Sequence, residues 1–125
     1  MKNSFSKEER WLPKKTITAL FSEGNRTYSK YLTAKWNIEK TKKKKISMVI
    51  SVPKHTHKLA VHRNYIKRLI KEAYIKNKNV ILKSISLSIN IILIYNKSTI
   101  PKFNILEEEL VILFQKINNN LYENN

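Results

Sequence analysis

The segment Ile85–Tyr95, ISLSINIILIY, starts as an alternation of apolar and small polar residues and passes into an unbroken apolar run. A strand of that kind offers no face to water, so other elements must cover it on both sides. The rest of the chain has to supply those covers. Its 125 residues suit one domain, and a hydrophobic share of 42% is enough for a core. Residues 1–125 are therefore expected to form a single domain, with frayed ends at about 1–5 and 119–125.

Two other segments alternate cleanly. In Tyr31–Ile38, Leu32, Ala34, Trp36 and Ile38 share one face and Thr33, Lys35 and Asn37 the other. In Ile46–Val52, Ile46, Met48, Ile50 and Val52 oppose Ser47, Val49 and Ser51. Both read as half-buried strands. The charged link EKTKKKK over 39–45 would join them as an antiparallel hairpin.

Helical signals surround these strands. Pro13 suits a first turn, Ile17, Leu20 and Phe21 follow at helical spacing, and Gly24, the only glycine, is placed for a left-handed C-cap. These predict a helix over about 13–23. Residues 58–74, KLAVHRNYIKRLIKEAY, predict a second helix. Its Leu59, Ile66, Leu69, Ile70 and Ala73 fall within one arc of roughly 100°, and His62 projects near that arc. A loop over 76–79 follows. Asn104, with Glu107 three residues on, forms a capping-box-like start for a third helix striped by Leu106, Leu110, Leu113, Phe114, Ile117 and Leu121. Glu107–Glu109 lie near the positive end of its dipole. The order α-β-β-α-β-α describes an α+β fold, a two-layer α/β sandwich with helices on a sheet.

Charge narrows the function. Twenty-five Lys and Arg against nine Asp and Glu leave +16, a self-repulsion that a polyanion relieves. No apolar run approaches the roughly 18 residues of a spanning helix. The start MKNSFSKEERW has no apolar core of a secretory signal. A cytoplasmic nucleic-acid binder is expected. Cysteine is absent, which removes disulfides and thiolate chemistry.

Catalytic motifs are missing too: no Walker A, no Ser-His-Asp spacing and no His-Glu-x-x-His. His55 and His57 form a His-x-His pair without the companion carboxylate or thiol that a metal site needs, so they are read as loop residues. Lys42–Lys45 reads as a solvated turn or a secondary phosphate contact. Phe21 and Trp36 fit core positions, while Tyr28 and Tyr31, at a strand entrance, are more open to stacking on bases.

The helix over 58–74 is different. Arg63, Asn64, Lys67, Arg68 and Lys71 fill the arc beside its apolar stripe, and Glu72, the only acid of the stretch, projects away from them. A solvated flank would intersperse acids for i,i+4 pairing. Guanidinium groups instead fork onto phosphate, and asparagine bonds base edges or ribose. A stripe contacting about six phosphates would lose on the order of a thousandfold in affinity between low and moderate salt. Arg63→Ala or Lys67→Ala is expected to weaken RNA assembly with little loss of fold.

This stretch resembles the signature helix of the bacterial ribonuclease P protein component, roughly K-x-A-V-x-R-N-R-x-K-R-x-x-R-E. Lys58, Ala60, Val61, Arg63, Asn64, Lys67, Arg68 and Glu72 match it, and ISVPK over 50–54 resembles the lead-in to it. Upstream, FSKEERW and ALFSEG are similar to the family's N-terminal segment, with Phe21 and Gly24 in place. The resemblance spans about residues 4–121. Tyr65 stands where the pattern has arginine, Lys71 where arginine is usual, and Ile17 where an aromatic is common.

The resemblance implies a fold related to ribosomal protein domains, with a left-handed βαβ crossover. It implies RNA contacts by Lys54, Lys58, Arg63, Asn64, Tyr65, Lys67, Arg68 and Lys71. A cleft including Ile17, Phe21, Tyr31 and Lys35 would hold the single-stranded 5′ leader of precursor tRNA. The partners would be the catalytic RNA subunit of ribonuclease P and precursor tRNA, and neither membrane nor DNA. Hydrolysis would be carried by the RNA with bound Mg2+, and no catalytic residue is expected in the protein. A structural RNA binder such as a ribosomal protein shares the basic surface but not the signature helix. A DNA-binding helix-turn-helix would need a helix where strand 46–52 is expected. A membrane-surface helix would need Trp or Phe on the apolar arc.

Overall fold

In a computed structural model of the protein, which describes residues 12–39, 46–84 and 88–123, the apolar run forms the inner strand of a four-stranded sheet. The strands are β1 (Asn25–Tyr28), β2 (Leu32–Glu39), β3 (Ile46–Ser51) and β4 (Ser88–Tyr95), in the order β1-β2-β4-β3. β4 pairs antiparallel with β2, Ile91 opposite Trp36, and parallel with β3, Ile91 opposite Met48. β1 pairs antiparallel with β2.

The expected hairpin between 31–38 and 46–52 does not form, because β4 lies between its two arms. β2 and β3 do run in opposite directions, but each buries its apolar face beside β4 and not beside the other. Alternation records which face is buried and carries no record of the neighbour. The distance is easily covered. Two strand spacings are roughly 10 Å, and the stretch from Glu39 to Ile46 could reach about 25 Å.

Four helices accompany the described strands: α1 (Lys14–Glu23), α2 (Ala60–Lys76), α3 (Lys78–Ser84) and α4 (Phe103–Glu123). β3, α2, α3 and β4 make the parallel crossover unit. One sheet face presents Leu32, Ala34, Trp36, Ile46, Met48, Ile89, Ile91, Leu93 and Tyr95 to the main core. α2 meets it with Ile66, Leu69, Ile70, Ala73 and Tyr74, and α4 with Leu106, Leu110, Leu113, Phe114 and Ile117. Each such side chain contributes about 1.5–3 kcal/mol by leaving water. On the opposite face, Leu20 of α1 joins Leu12 and Ile92, with Ile17, Val49 and Ile94 against them. The two-layer α+β architecture thus carries one short extra helix across its open side.

Several local readings change. Gly24 is not left-handed: its φ is −67° and ψ 155°. Glycine is needed there because a Cβ would sit 2.5 Å from the Leu20 carbonyl oxygen, which accepts the Gly24 N–H at 3.1 Å. Pro13 precedes α1 as its N-cap, and its carbonyl accepts the Ile17 N–H. Leu59 precedes α2 and is 58% exposed. His62 is exposed too, and Tyr74 is buried in its stead. The expected loop at 76–79 is a brief break before α3, whose Ile81 enters the core.

The capping box at Asn104 is not used. α4 begins at Phe103, and the Lys102 carbonyl accepts the Leu106 N–H. Glu107 instead accepts from Asn77 Nδ2 at 3.0 Å and lies 3.4 Å from Lys76 Nζ, tying α4 to the α2–α3 junction. Glu109 is 8% exposed; it accepts from Ser29 Oγ at 2.8 Å and from the Tyr31 N–H at 2.6 Å. A buried carboxylate is tolerable when hydrogen-bonded in this way. It fixes the β1–β2 turn against α4.

Candidate nucleic-acid interface

Lys42–Lys45 lie outside the described residues. The remaining candidates fall on two surfaces. The first is the outer side of α2. Its apolar arc is spent on the core, which leaves Asn64, Tyr65 and Arg68 exposed and Arg63, Lys67 and Lys71 half-buried along the flank. Lys54 and Lys58 are exposed in the segment that leads into the helix. Among the described residues, no carboxylate pairs with Arg63, Lys67 or Arg68; the ion pair at Lys76 and Glu107 lies at the far end. The first turn of α2 carries no acid and no side-chain cap, so its N-terminal partial positive charge adds to the cations.

Arg63 has a second duty. Its Nη1 donates to the carbonyls of His57 at 3.0 Å and Lys58 at 2.8 Å, holding the lead-in against the helix start. Arg63→Ala is therefore expected to affect the fold as well as RNA assembly, contrary to the reading from sequence alone. Tyr65, the departure from the signature pattern, lies under the Arg68 guanidinium at 5.3 Å. That pair keeps an aromatic plane and a cation together at the surface.

The His-x-His pair does not converge. His57 is buried, donates through Nε2 to the Lys97 carbonyl at 2.7 Å and packs on Tyr95 with ring centroids 5.8 Å apart. His55 is exposed. Among the described residues no group of three His, Asp or Glu is arranged to hold a metal ion.

The second surface is the sheet face beside α1. Lys35 on β2 extends to α1, its Nζ 4.7 Å from the Phe21 ring centroid and 3.5 Å from the Phe21 carbonyl. Phe21 is 50% exposed, so the ring expected in the core stands at the surface. Ile17 faces the other way and packs into the small Leu12, Leu20 and Ile92 cluster. Tyr31 is not beside these residues. It packs against the main core, with Lys30 and Lys97 ammonium groups 5.9 and 5.7 Å from its ring centroid.

Sequence periodicity missed Arg26. It lies opposite Lys35 in the β1–β2 register, and residues so paired project on the same face. Its guanidinium donates to the Tyr28 hydroxyl at 2.9 Å and lies 5.7 Å from that ring centroid. β1 is only NRTY, too short to register as alternation; the cation and aromatic two residues apart were the available signal.

The family model for ribonuclease P matches residues 5–118. The chain belongs to the ribonuclease P protein family. As such it is an RNA-binding subunit of ribonuclease P and takes part in tRNA processing. The fold agrees with that of the Staphylococcus aureus ribonuclease P protein: TM-score 0.68 and 20% identity, over 89% of this chain and 96% of that one. The Thermotoga maritima ribonuclease P protein gives a TM-score of 0.70 at 21% identity, over 86% and 96% of the two chains. No match was found among curated protein sequences.

Proposed function

We propose that this ribonuclease P protein binds the catalytic RNA through the outer side of α2 and receives the 5′ leader of precursor tRNA on the sheet face beside α1. The observation that supports the first half is a stripe of cations on one helix flank, with Arg63, Lys67 and Arg68 matched by no carboxylate among the described residues. Phosphates are the anions that would pair with these three. Two RNAs repel each other, and a subunit of charge +16 placed between them lowers that repulsion.

The second half rests on Phe21 and Lys35. A half-exposed ring with an ammonium group above it can stack a base and neutralise the adjoining phosphate. Hydrolysis is assigned to the RNA with its Mg2+, in the cytoplasm. The contribution of this chain is positioning and charge, carried by lysines, arginines and aromatics. No described helix is long and apolar enough to cross a membrane.

The test is reconstitution with a bacterial catalytic RNA, scored for mature tRNA 5′ ends. Adding the protein should raise cleavage at limiting Mg2+ and favour precursor over mature tRNA. Phe21→Ala combined with Lys35→Ala should abolish that preference while leaving RNA assembly intact. Equal binding of precursor and mature tRNA, with or without the wild-type protein, would overturn the proposal.

A further inference from the structure

At the β1 edge of the sheet an open recess of about 540 Å3 lies between β1 and the end of α4, lined by Arg26, Thr27, Tyr28, Lys116, Asn119 and Asn120. Two cations and two amides line it, and no carboxylate does. Part of this chemistry is architectural. Lys116 Nζ donates to the Tyr28 carbonyl at 2.8 Å, and Asn120 Nδ2 donates to Thr27 Oγ1 at 3.2 Å, which ties α4 to the edge strand. An ammonium group has three donors, however, and the Tyr28 carbonyl occupies one. Asn119 is exposed. Two cations gathered at one recess without an acid raise the local potential and attract an anion.

The position of the recess matters as much as its lining. Arg26 lies opposite Lys35, and Lys35 reaches Phe21. Cations therefore run along the α1 face from Lys35 to Arg26 at the β1 edge, and Lys116 of α4, on the opposite face, meets Arg26 around that edge in the recess. β1 is the edge away from β3, the strand that leads into the crossover helix. A strand of RNA laid across the α1 face of the sheet from the β3 edge would leave the protein at this point.

We infer that the β1–α4 recess is a distal subsite for single-stranded RNA, in which Lys116 and Asn119 contact the phosphodiester of leader nucleotides beyond those held at Phe21 and Lys35. The exposed Tyr28 ring offers a face for a base there. This rests on the leader-binding reading of the sheet face and extends it by one further contact.

The test uses holoenzyme reconstituted with a bacterial catalytic RNA and precursor tRNAs whose leaders grow one nucleotide at a time. Affinities are measured over a range of salt. Lys116→Gln keeps a donor for the Tyr28 carbonyl while removing the charge, Lys116→Arg restores the charge, and thermal melts check the fold. With wild-type protein, affinity should rise with leader length in two stages. Lys116→Gln should erase only the later stage, losing about fourfold at moderate salt and flattening the salt slope by about 0.7, the value for one phosphate of a single strand. Lys116→Arg should recover it. A Lys116→Gln protein that retains the full length dependence overturns the recess alone. An equal loss at every leader length overturns it as well. Wild-type protein with no length dependence overturns the leader reading itself, and the recess with it.

Discussion

Gly24→Ala sets two physical arguments against each other. The Gly24 backbone, at φ −67° and ψ 155°, is one that any residue adopts. Replacing glycine at such a position ordinarily stabilises by about 0.4–1 kcal/mol, because the unfolded chain loses freedom. Here the added Cβ would lie 2.5 Å from the Leu20 carbonyl oxygen and 3.2 Å from the Leu20 carbonyl carbon. Both are backbone atoms at the end of α1, so no flexible side chain can swing aside. Relief requires the last turn of α1 to move and its closing hydrogen bond, Gly24 N–H to Leu20 carbonyl, to lengthen. Losing that bond costs about 1 kcal/mol, and overpacking adds roughly 1–3 kcal/mol. After subtraction of the entropic gain, a net loss of about 2 kcal/mol is expected, or roughly 6–10 °C in Tm for a domain of this size. Chemical denaturation monitored by circular dichroism gives the number directly. Because Leu20 anchors α1 and Phe21 follows it, precursor affinity should fall in parallel. An alanine variant as stable as the parent, or more stable, would refute the steric argument and leave entropy as the deciding term.

Other expectations follow from individual contacts. Glu109→Gln keeps one acceptor for Ser29 and the Tyr31 N–H but loses the charge that shortens those bonds; a cost of about 1–3 kcal/mol should appear in urea unfolding. Arg68→Ala should reduce catalytic-RNA affinity and its salt slope by about 0.9 without changing Tm, whereas Arg63→Ala should lower both affinity and Tm, since it also releases the His57 and Lys58 carbonyls. Burial holds the Tyr95 phenol above its ordinary value of 10.0. The unfolded chain therefore ionises first, and stability present below pH 10 is lost as pH rises toward the folded value. Tyr95→Phe should flatten that alkaline loss in melts taken from pH 8 to 11, at a constant cost of about 1 kcal/mol for the bond to the Thr99 carbonyl.

Periodicity made the main elements readable. The two-sided apolar run had to be a strand covered on both faces, and the α2 arc from Ile66 to Ala73 had to face a core. What periodicity could not supply was pairing. Trp36 and Met48 each declare a buried side, yet only the three-dimensional arrangement makes Ile91 the neighbour of both. The acids were misread for a related reason. Local rules put Glu107 and Glu109 to work on their own helix dipole, while tertiary partners, Asn77 for one and the β1–β2 turn for the other, claimed them first. The candidate site divides along the same line. Arg68 and Asn64 were legible because helical spacing alone sets their side, and Lys35 because strand alternation does. Arg26 was invisible because its alignment with Lys35 exists only once β1 and β2 are paired.

The insertion of β4 between β2 and β3 also dictates when the molecule can come together. β1 and β2 are close in sequence and able to zip at once, but β3 has no partner until residues 88–95 arrive. On a ribosome delivering residues in order, Trp36 and Met48 emerge long before Ile91. During that interval two greasy ribbons wait with bare edges, and the helix bearing the arginines has no floor to rest on. Ile91 and its neighbours act as the keystone, so premature termination anywhere ahead of them should leave a sticky fragment and not a smaller working subunit.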